Sequence, residues 1–271
     1  MLGVERIMSK LNIALTIAGT DPTGGAGIMA DLKTFQARGV YGMAVVTSVV
    51  AQNTLGVQYI QHLNLETIEA QLNSVFNDIA PHAIKTGMIA NADMMRLIKR
   101  YIPKNHLYVV DPVMVATSGD KLIDDKARRN LKQEILPLAT VITPNIPETE
   151  EIVNFEIITE SDINKAGKFI ISEVGCQSVV IKGGHLTGNA ADYLFTKDGS
   201  RHVFFSERVN TRHTHGTGCT FSAVITAELA KGRDLVEAVA TAKRFISTAI
   251  SEAPGIGHGN GPVNHLAYKG E

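Results

Sequence analysis

Cys219 stands in the segment Thr214-His215-Gly216-Thr217-Gly218-Cys219-Thr220-Phe221-Ser222, where two glycines lead into an apolar helical pattern (Phe221, Val224, Ile225, Leu229). A loop that runs straight into a helix leaves backbone N–H groups without partners. It also adds the positive end of the helix dipole, and together these make a site for phosphate or another oxyanion. A thiol placed there is expected to have a lowered pKa, because the dipole that holds an anion also stabilises a thiolate. The same residues equally fit a glycine-rich turn that caps a packed helix, with Cys219 as a small buried hydrophobe.

Other residues invite chemical readings. Gly25-Ala26-Gly27-Ile28-Met29-Ala30 matches the dinucleotide fingerprint G-x-G-x-x-A, but residues 44 to 51, AVVTSVVA, lack the acidic residue that should bind the ribose. A glycine loop that lets a ligand approach the backbone remains, with Asp31 on the first turns of the next helix, where the dipole also favours a carboxylate. The phosphate-binding pattern G-x-x-x-x-G-K-[ST] is absent, since Gly167-Lys168 precedes Phe169. Asp111-Pro112 follows an apolar run, and a carboxylate there can bind Mg²⁺ as a hard ligand. Thr143-Pro144-Asn145-Ile146-Pro147-Glu148 places Asn145 and Glu148 about one turn apart, an arrangement that also fits turn and helix-start chemistry. Lys182 leaves the run Val179-Val180-Ile181 just before Gly183 and Gly184. Its compact cation suits a nucleotide phosphate. His213, His215 and Cys219 fall short of a tetrahedral zinc site. A cysteine hydrolase pairing Cys219 with one of these histidines is the more serious alternative.

These groups need a scaffold that brings strand ends together. The chain has 271 residues, 44% hydrophobic and 20% charged, with a formal net charge of −1, so neither nucleic acid nor an anionic membrane is an expected partner. Two cysteines without a CxxC motif fit a reducing, cytoplasmic setting, and no apolar run approaches a membrane span. Residues 1–10 are polar and patternless and read as an extension, leaving a single domain over 11–268.

Within that domain, apolar β-branched runs alternate with amphipathic helical stretches. Strands are expected at 11–18, 45–50, 83–86, 107–110, 139–142 and 178–182, and helices through Arg38 and at 65–78, 91–101, 124–134, 161–174, 217–231 and 234–252. This alternation predicts a mostly parallel sheet covered by helices on both faces, with ligands beyond the carboxyl ends of the strands. The period-two stretch 189–207, broken by Lys197-Asp198-Gly199, predicts an antiparallel hairpin at one sheet edge.

The ordered motifs ALTIAGTDPTGGAGIMADLKTF, SVVAQNT, IKTGMI, VVDPVM, TPNIPE, VIKGG and HGTGCTFSAVITAELAKG run from about Leu11 to Tyr268. Over that length the chain resembles the ribokinase-like superfamily, and closely the hydroxymethylpyrimidine/phosphomethylpyrimidine kinases of thiamine biosynthesis. The resemblance implies a three-layer α/β sandwich without a separate lid domain. It implies ATP and Mg²⁺ as cofactors, and phosphorylation of 4-amino-5-hydroxymethyl-2-methylpyrimidine and then of its monophosphate. Pyridoxal, the substrate of a related branch, is the alternative, although the triplet Gln52-Asn53-Thr54 favours the pyrimidine.

By the same resemblance the backbone of Gly216, Thr217, Gly218 and Cys219 receives the γ-phosphate, and Cys219 acts as general base. Gln52 pairs with the aminopyrimidine edge, and Gly19, Asp31, Met88 and Val115 line the pyrimidine pocket. Asp111 and Glu148 organise Mg²⁺, while Lys182, Thr143, Asn145 and Gly218 serve the nucleotide. The family's common homodimer is the expected assembly.

Overall fold

The computed structural model describes residues 11–114, 123–183 and 190–270. Eight strands form one sheet: β1 Ile13–Ala18, β2 Tyr41–Val46, β5 Ala83–Thr86, β6 Leu107–Val110, β7 Val141–Ile142, β8 Ser178–Lys182, β9 Ala190–Thr196 and β10 Arg201–Ser206. Their order is β10-β9-β8-β7-β6-β5-β1-β2. Strands β2 through β8 of this sheet pair in parallel, and β9 and β10 continue it antiparallel. The expected edge hairpin is therefore present.

Apolar runs become strands here because both faces of the sheet are covered. Leu15 and Ile17 of β1 enter one core, while Ala14 enters the other. Val179 and Ile181 of β8 likewise face the first core and Val180 the second. The first core also receives α2 Leu65–Phe76, α3 Ala92–Lys99, α4 Asp125–Asn130, α5 Ile146–Val153 and α6 Glu160–Phe169. The second is closed by α1 Gly27–Ala37, α7 Thr217–Ala230 and α8 Leu235–Ser251. A sheet sandwiched in this way needs no polar face, which is why its inner strands read as continuous hydrophobic runs.

One local expectation is corrected and two are sharpened. The strand expected at 45–50 divides at Thr47: β2 ends at Val46, and β3 Ser48–Asn53 turns away to pair antiparallel with β4 Gly56–His62 as a separate two-stranded ribbon. The 143–148 stretch takes the helix-start arrangement that its spacing fits. It starts α5 through a capping box in which Asn145 and Glu148 exchange side-chain and backbone hydrogen bonds, with Pro147 in the first turn. Helices α4 and α6 close in wider turns over Leu131–Ile135 and Ile170–Val174.

Candidate active site

The carboxyl ends of β1, β5, β6, β7 and β8 deliver Gly19, Met88, Asp111, Asn145 and Lys182 to the wall of one cavity of about 720 Å³. Gln52 of the ribbon lines it, as do Glu148 and the loop and first helical turn from Thr214 to Cys219. The strand order sets its long axis. Gly19, Met88 and Gln52 lie toward the β1–β2 end, and Lys182 with Ser206, Arg208 and Val209 toward the β8–β10 end.

At the middle of this rim α7 begins. Its N-cap, Gly216, has φ 80° and no side chain caps the helix. A side chain at Gly216 would overlap the carbonyl of Gly25, so only glycine fits where the two loops cross. The Gly218 and Cys219 amides fall in the first turn, where no intrahelical acceptor exists, and they are the donors available to an anion. A Cβ placed on Gly218 would lie 3.3 Å from Lys182 Nζ and 3.5 Å from Asp111 Oδ2, which measures how closely the amides approach the charged pair.

The Lys182 ammonium donates to Asp111 Oδ1 at 3.3 Å, and Thr143 Oγ1 donates to the same oxygen at 3.2 Å. Asp111 Oδ2 is buried and has no partner. Glu148 Oε2 accepts from the Asn145 N–H at 2.8 Å. Burial pushes the Glu148 carboxyl up to about 7, with Lys182 opposing and Asp111 reinforcing the shift. Burial opposes the charge on Lys182, but Asp111 and Glu148 more than compensate and hold it as an ammonium.

Cys219 lines the cavity, but its expected thiolate is corrected. Desolvation pushes the thiol up to about 12. The Lys85 ammonium and the Gly27 N–H pull it down, and Asp31 and Asp111 push it up again. Desolvation of the partly buried sulfur outweighs the helix dipole.

Not every expected contact reaches the cavity. Asp31 is fully buried, accepting from Thr16 Oγ1 at 2.6 Å and from Lys85 Nζ at 2.9 Å, and does not line the pocket. Thr143 is also fully buried and meets the site only through Asp111. Val115 lies outside the described residues. Conversely, the sequence motifs give no role to Thr20, Asp21 or Lys85, and they offer His215 as a loop-shaping residue, a zinc ligand or a partner of Cys219. His215 lines the cavity and directs Nε2 to Asp21 Oδ2 at 2.7 Å rather than toward a metal. Among the described residues, no group of three or more His, Cys, Asp or Glu side chains converges as a metal cage.

A family model described as phosphomethylpyrimidine kinase matches residues 21–264. The chain is 61% identical over 265 residues, 96% of each protein, to a hydroxymethylpyrimidine/phosphomethylpyrimidine kinase of Staphylococcus aureus (strain MRSA252). The structure of an ADP complex of Bacillus subtilis pyridoxal kinase matches with a TM-score of 0.87 at 42% identity, covering 95% of this chain and 98% of that one. A phosphomethylpyrimidine kinase from Clostridium difficile 630 matches with a TM-score of 0.78 at 43% identity, covering 88% and 99%. A strand-end cavity that joins an uncapped helix N-terminus to a lysine and paired carboxylates thus occurs in a chain that belongs to the phosphomethylpyrimidine kinase family, whose members are phosphotransferases.

Proposed function

We propose that the chain transfers the γ-phosphoryl group of ATP to the hydroxymethyl group of 4-amino-5-hydroxymethyl-2-methylpyrimidine, and then to the resulting monophosphate, as a step in thiamine biosynthesis. The observation that carries this reading is the approach of the α7 N-terminus to Lys182 and Asp111, which puts anion-binding amides, a cation and a free carboxylate oxygen within one cavity.

Phosphoryl transfer asks chiefly for positioning and charge stabilisation. Gln52 offers an amide donor and acceptor side by side for the aminopyrimidine edge. Gly19 leaves room beside Met88, since a Cβ there would meet the Met88 methyl at 2.8 Å. Lys182 and the Gly218 and Cys219 amides receive the transferred phosphoryl group, and the Asn145 side of the rim receives the nucleotide. Thr143 acts behind them by fixing the Asp111 carboxylate. Asp31 supports the floor of the pocket through Lys85.

The donor set fits Mg²⁺. The unpartnered Asp111 oxygen and the buried Glu148 carboxylate are hard ligands, and two carboxylates are the usual protein share of a magnesium site completed by water and phosphate oxygens. When bound, Mg²⁺ neutralises charge on the phosphates.

Cys219 is the proposed base for the first phosphorylation. In the free protein it is a neutral thiol, so its proton must leave before it can accept one from the substrate hydroxyl. Lys85 and the Gly27 N–H are the groups that favour the thiolate. The monophosphate attacks through an oxygen that is already anionic and does not need this base.

The similarity to a pyridoxal kinase keeps pyridoxal as the second reading. Two free cysteines support a reducing cytoplasm, and the exposed Val49, Leu55 and Tyr59 around the β3–β4 ribbon support a homodimer. The test measures ADP release with the pyrimidine, its monophosphate and pyridoxal in parallel. Turnover of both pyrimidines is expected; turnover of neither overturns the proposal, and turnover of pyridoxal alone installs the alternative. Cys219→Ala should slow the first phosphorylation about 100-fold and the second far less. Equal losses in both steps would remove the base assignment.

A further inference from the structure

Asp21 is fully buried, yet it belongs to the loop after β1 and has no part in the chemistry described above. Every lone pair direction of its carboxylate is in use. Oδ1 accepts from Thr23 N at 2.9 Å and Thr23 Oγ1 at 2.8 Å, and Oδ2 accepts from Ala26 N at 2.8 Å and faces His215 Nε2 at 2.7 Å. Burial alone would raise this carboxyl, but the hydrogen bonds from His215 and Thr23 hold it below its ordinary value. A carboxylate only accepts, so Nε2 carries the proton and donates.

His215 directly precedes Gly216, the N-cap of the anion-binding helix. Asp21 directly follows Thr20, which ties the loop to the strand carrying Gln52: Thr20 N donates to Ser48 O at 2.9 Å, and Val50 N donates to Thr20 Oγ1 at 3.0 Å. A second route leaves the same ribbon at its turn. Thr54 O accepts from Asn260 N at 2.8 Å, and Thr54 Oγ1 accepts from the His258 and Gly259 amides at 3.1 Å each. That segment continues to Gly261, whose carbonyl accepts from His215 N at 3.1 Å, and to Val263, whose N–H donates to His215 O at 3.3 Å. Both routes from the substrate ribbon end on His215, one through its imidazole and one through its backbone.

We propose that His215, clamped between Asp21 and the 261–263 segment, is a positioning residue that fixes the distance between Gln52 and the anion-binding amides of Gly218 and Cys219. Its ring does not touch the reacting atoms. It holds the substrate ribbon and the phosphate loop at one spacing, and the charge-assisted bond to Asp21 makes that spacing stiff. In-line transfer is sensitive to such spacing, because a displacement near one ångström at the reacting centre costs up to about 100-fold in rate.

The inference rests on the proposed pyrimidine kinase activity, and one experiment separates the two. The full chain is assayed with ATP, Mg²⁺ and hydroxymethylpyrimidine as wild type, His215→Ala, His215→Asn, His215→Gln, Asp21→Asn and the double variant Asp21→Asn/His215→Ala, with melting temperature recorded for each. Gln carries an amide donor that reaches Asp21, whereas Asn is too short.

His215→Ala and His215→Asn should lower kcat by about 10- to 100-fold while KM for each substrate changes by less than about threefold. His215→Gln should recover kcat to within about threefold of wild type, and the double variant should lose no more than the worse of its parents. A wild type inactive on the pyrimidine sinks the functional reading, and the clamp with it. An active wild type with undiminished His215→Ala or His215→Asn, a His215→Gln no better than His215→Ala, or additive losses in the double variant overturns the clamp alone.

Discussion

Two lysine–aspartate pairs lie within the same part of this molecule and do opposite things. Lys85 and Asp31 meet at 2.9 Å with neither side chain exposed, in the middle of the sheet where Lys85 is in register with Thr16 and Val109. Lys182 and Asp111 meet at 3.3 Å on the cavity wall, with Lys182 15% exposed and one Asp111 oxygen left without a partner. The sealed pair has its charges matched to each other and to the floor beneath Cys219. The open pair is looser, and its unused oxygen and reachable ammonium are what a ligand can engage. Chemical identity of two residues therefore says little about role: Asp31 Oδ1 and Asp111 Oδ2 both lack a partner, and solvent access at Lys182 decides which pair a ligand can engage.

The largest effect that would test this contrast is on stability. Lys85→Met should cost about 3–5 kcal/mol in urea unfolding, because it strands a buried carboxylate, and Lys85→Met/Asp31→Leu should recover most of that loss. A stable Lys85→Met protein would break the distinction. Lys182→Met should lower kcat about 100-fold in steady-state assays and lose less than half the stability lost by Lys85→Met.

A smaller effect concerns pH. Glu148, beside the open pair, has a folded value of about 7 against an ordinary 4.5. The folded state therefore holds its proton more tightly, so stability is full below pH 4.5 and is lost as pH rises through 7. Glu148→Gln, which keeps an acceptor for the Asn145 N–H, should remove that slope and gain about 2 kcal/mol over wild type at pH 7.5. Paired unfolding curves at pH 5 and 7.5 measure it. Mg²⁺ should raise the wild-type melting temperature more at pH 8 than at pH 6, and an equal rise would count against a metal held by Glu148.

How far the sequence discloses these features depends on the range of the interaction. Strand β8 ends at Lys182 as its apolar run predicts, and Gly19, Asp111 and Asn145 stand where punctuation follows a strand. Such positions are legible because burial and turn chemistry act within a few residues. The β3–β4 ribbon was hidden because β2 and β3 run together through Thr47, and Thr54-Leu55 lacks the Asn-Gly signature of a tight hairpin. Helix α5 is signalled by Asn145 and Glu148 at capping-box spacing, with Pro147 in its first turn. The resemblance puts Asp31 at the pyrimidine pocket, and nothing near it in the chain announces Lys85, 54 residues away, which holds it in the core instead. The thiol of Cys219 was misjudged for a related reason: the dipole is visible in local sequence, whereas the desolvation that outweighs it is a property of the assembled cavity.

The crossing of Gly216 over the Gly25 carbonyl has a consequence for how this protein comes into being. The two loops template each other, and the bond that locks them joins residues 194 positions apart. During synthesis from the N-terminus, the first loop therefore waits, without its partner, until nearly the whole sheet has been made. The first core can form before then, but the second core, which α7 and α8 close, and the phosphate-binding loop cannot. Catalytic competence is acquired last and all at once, so a chain interrupted before Gly216 would hold a substantial hydrophobic core and no activity.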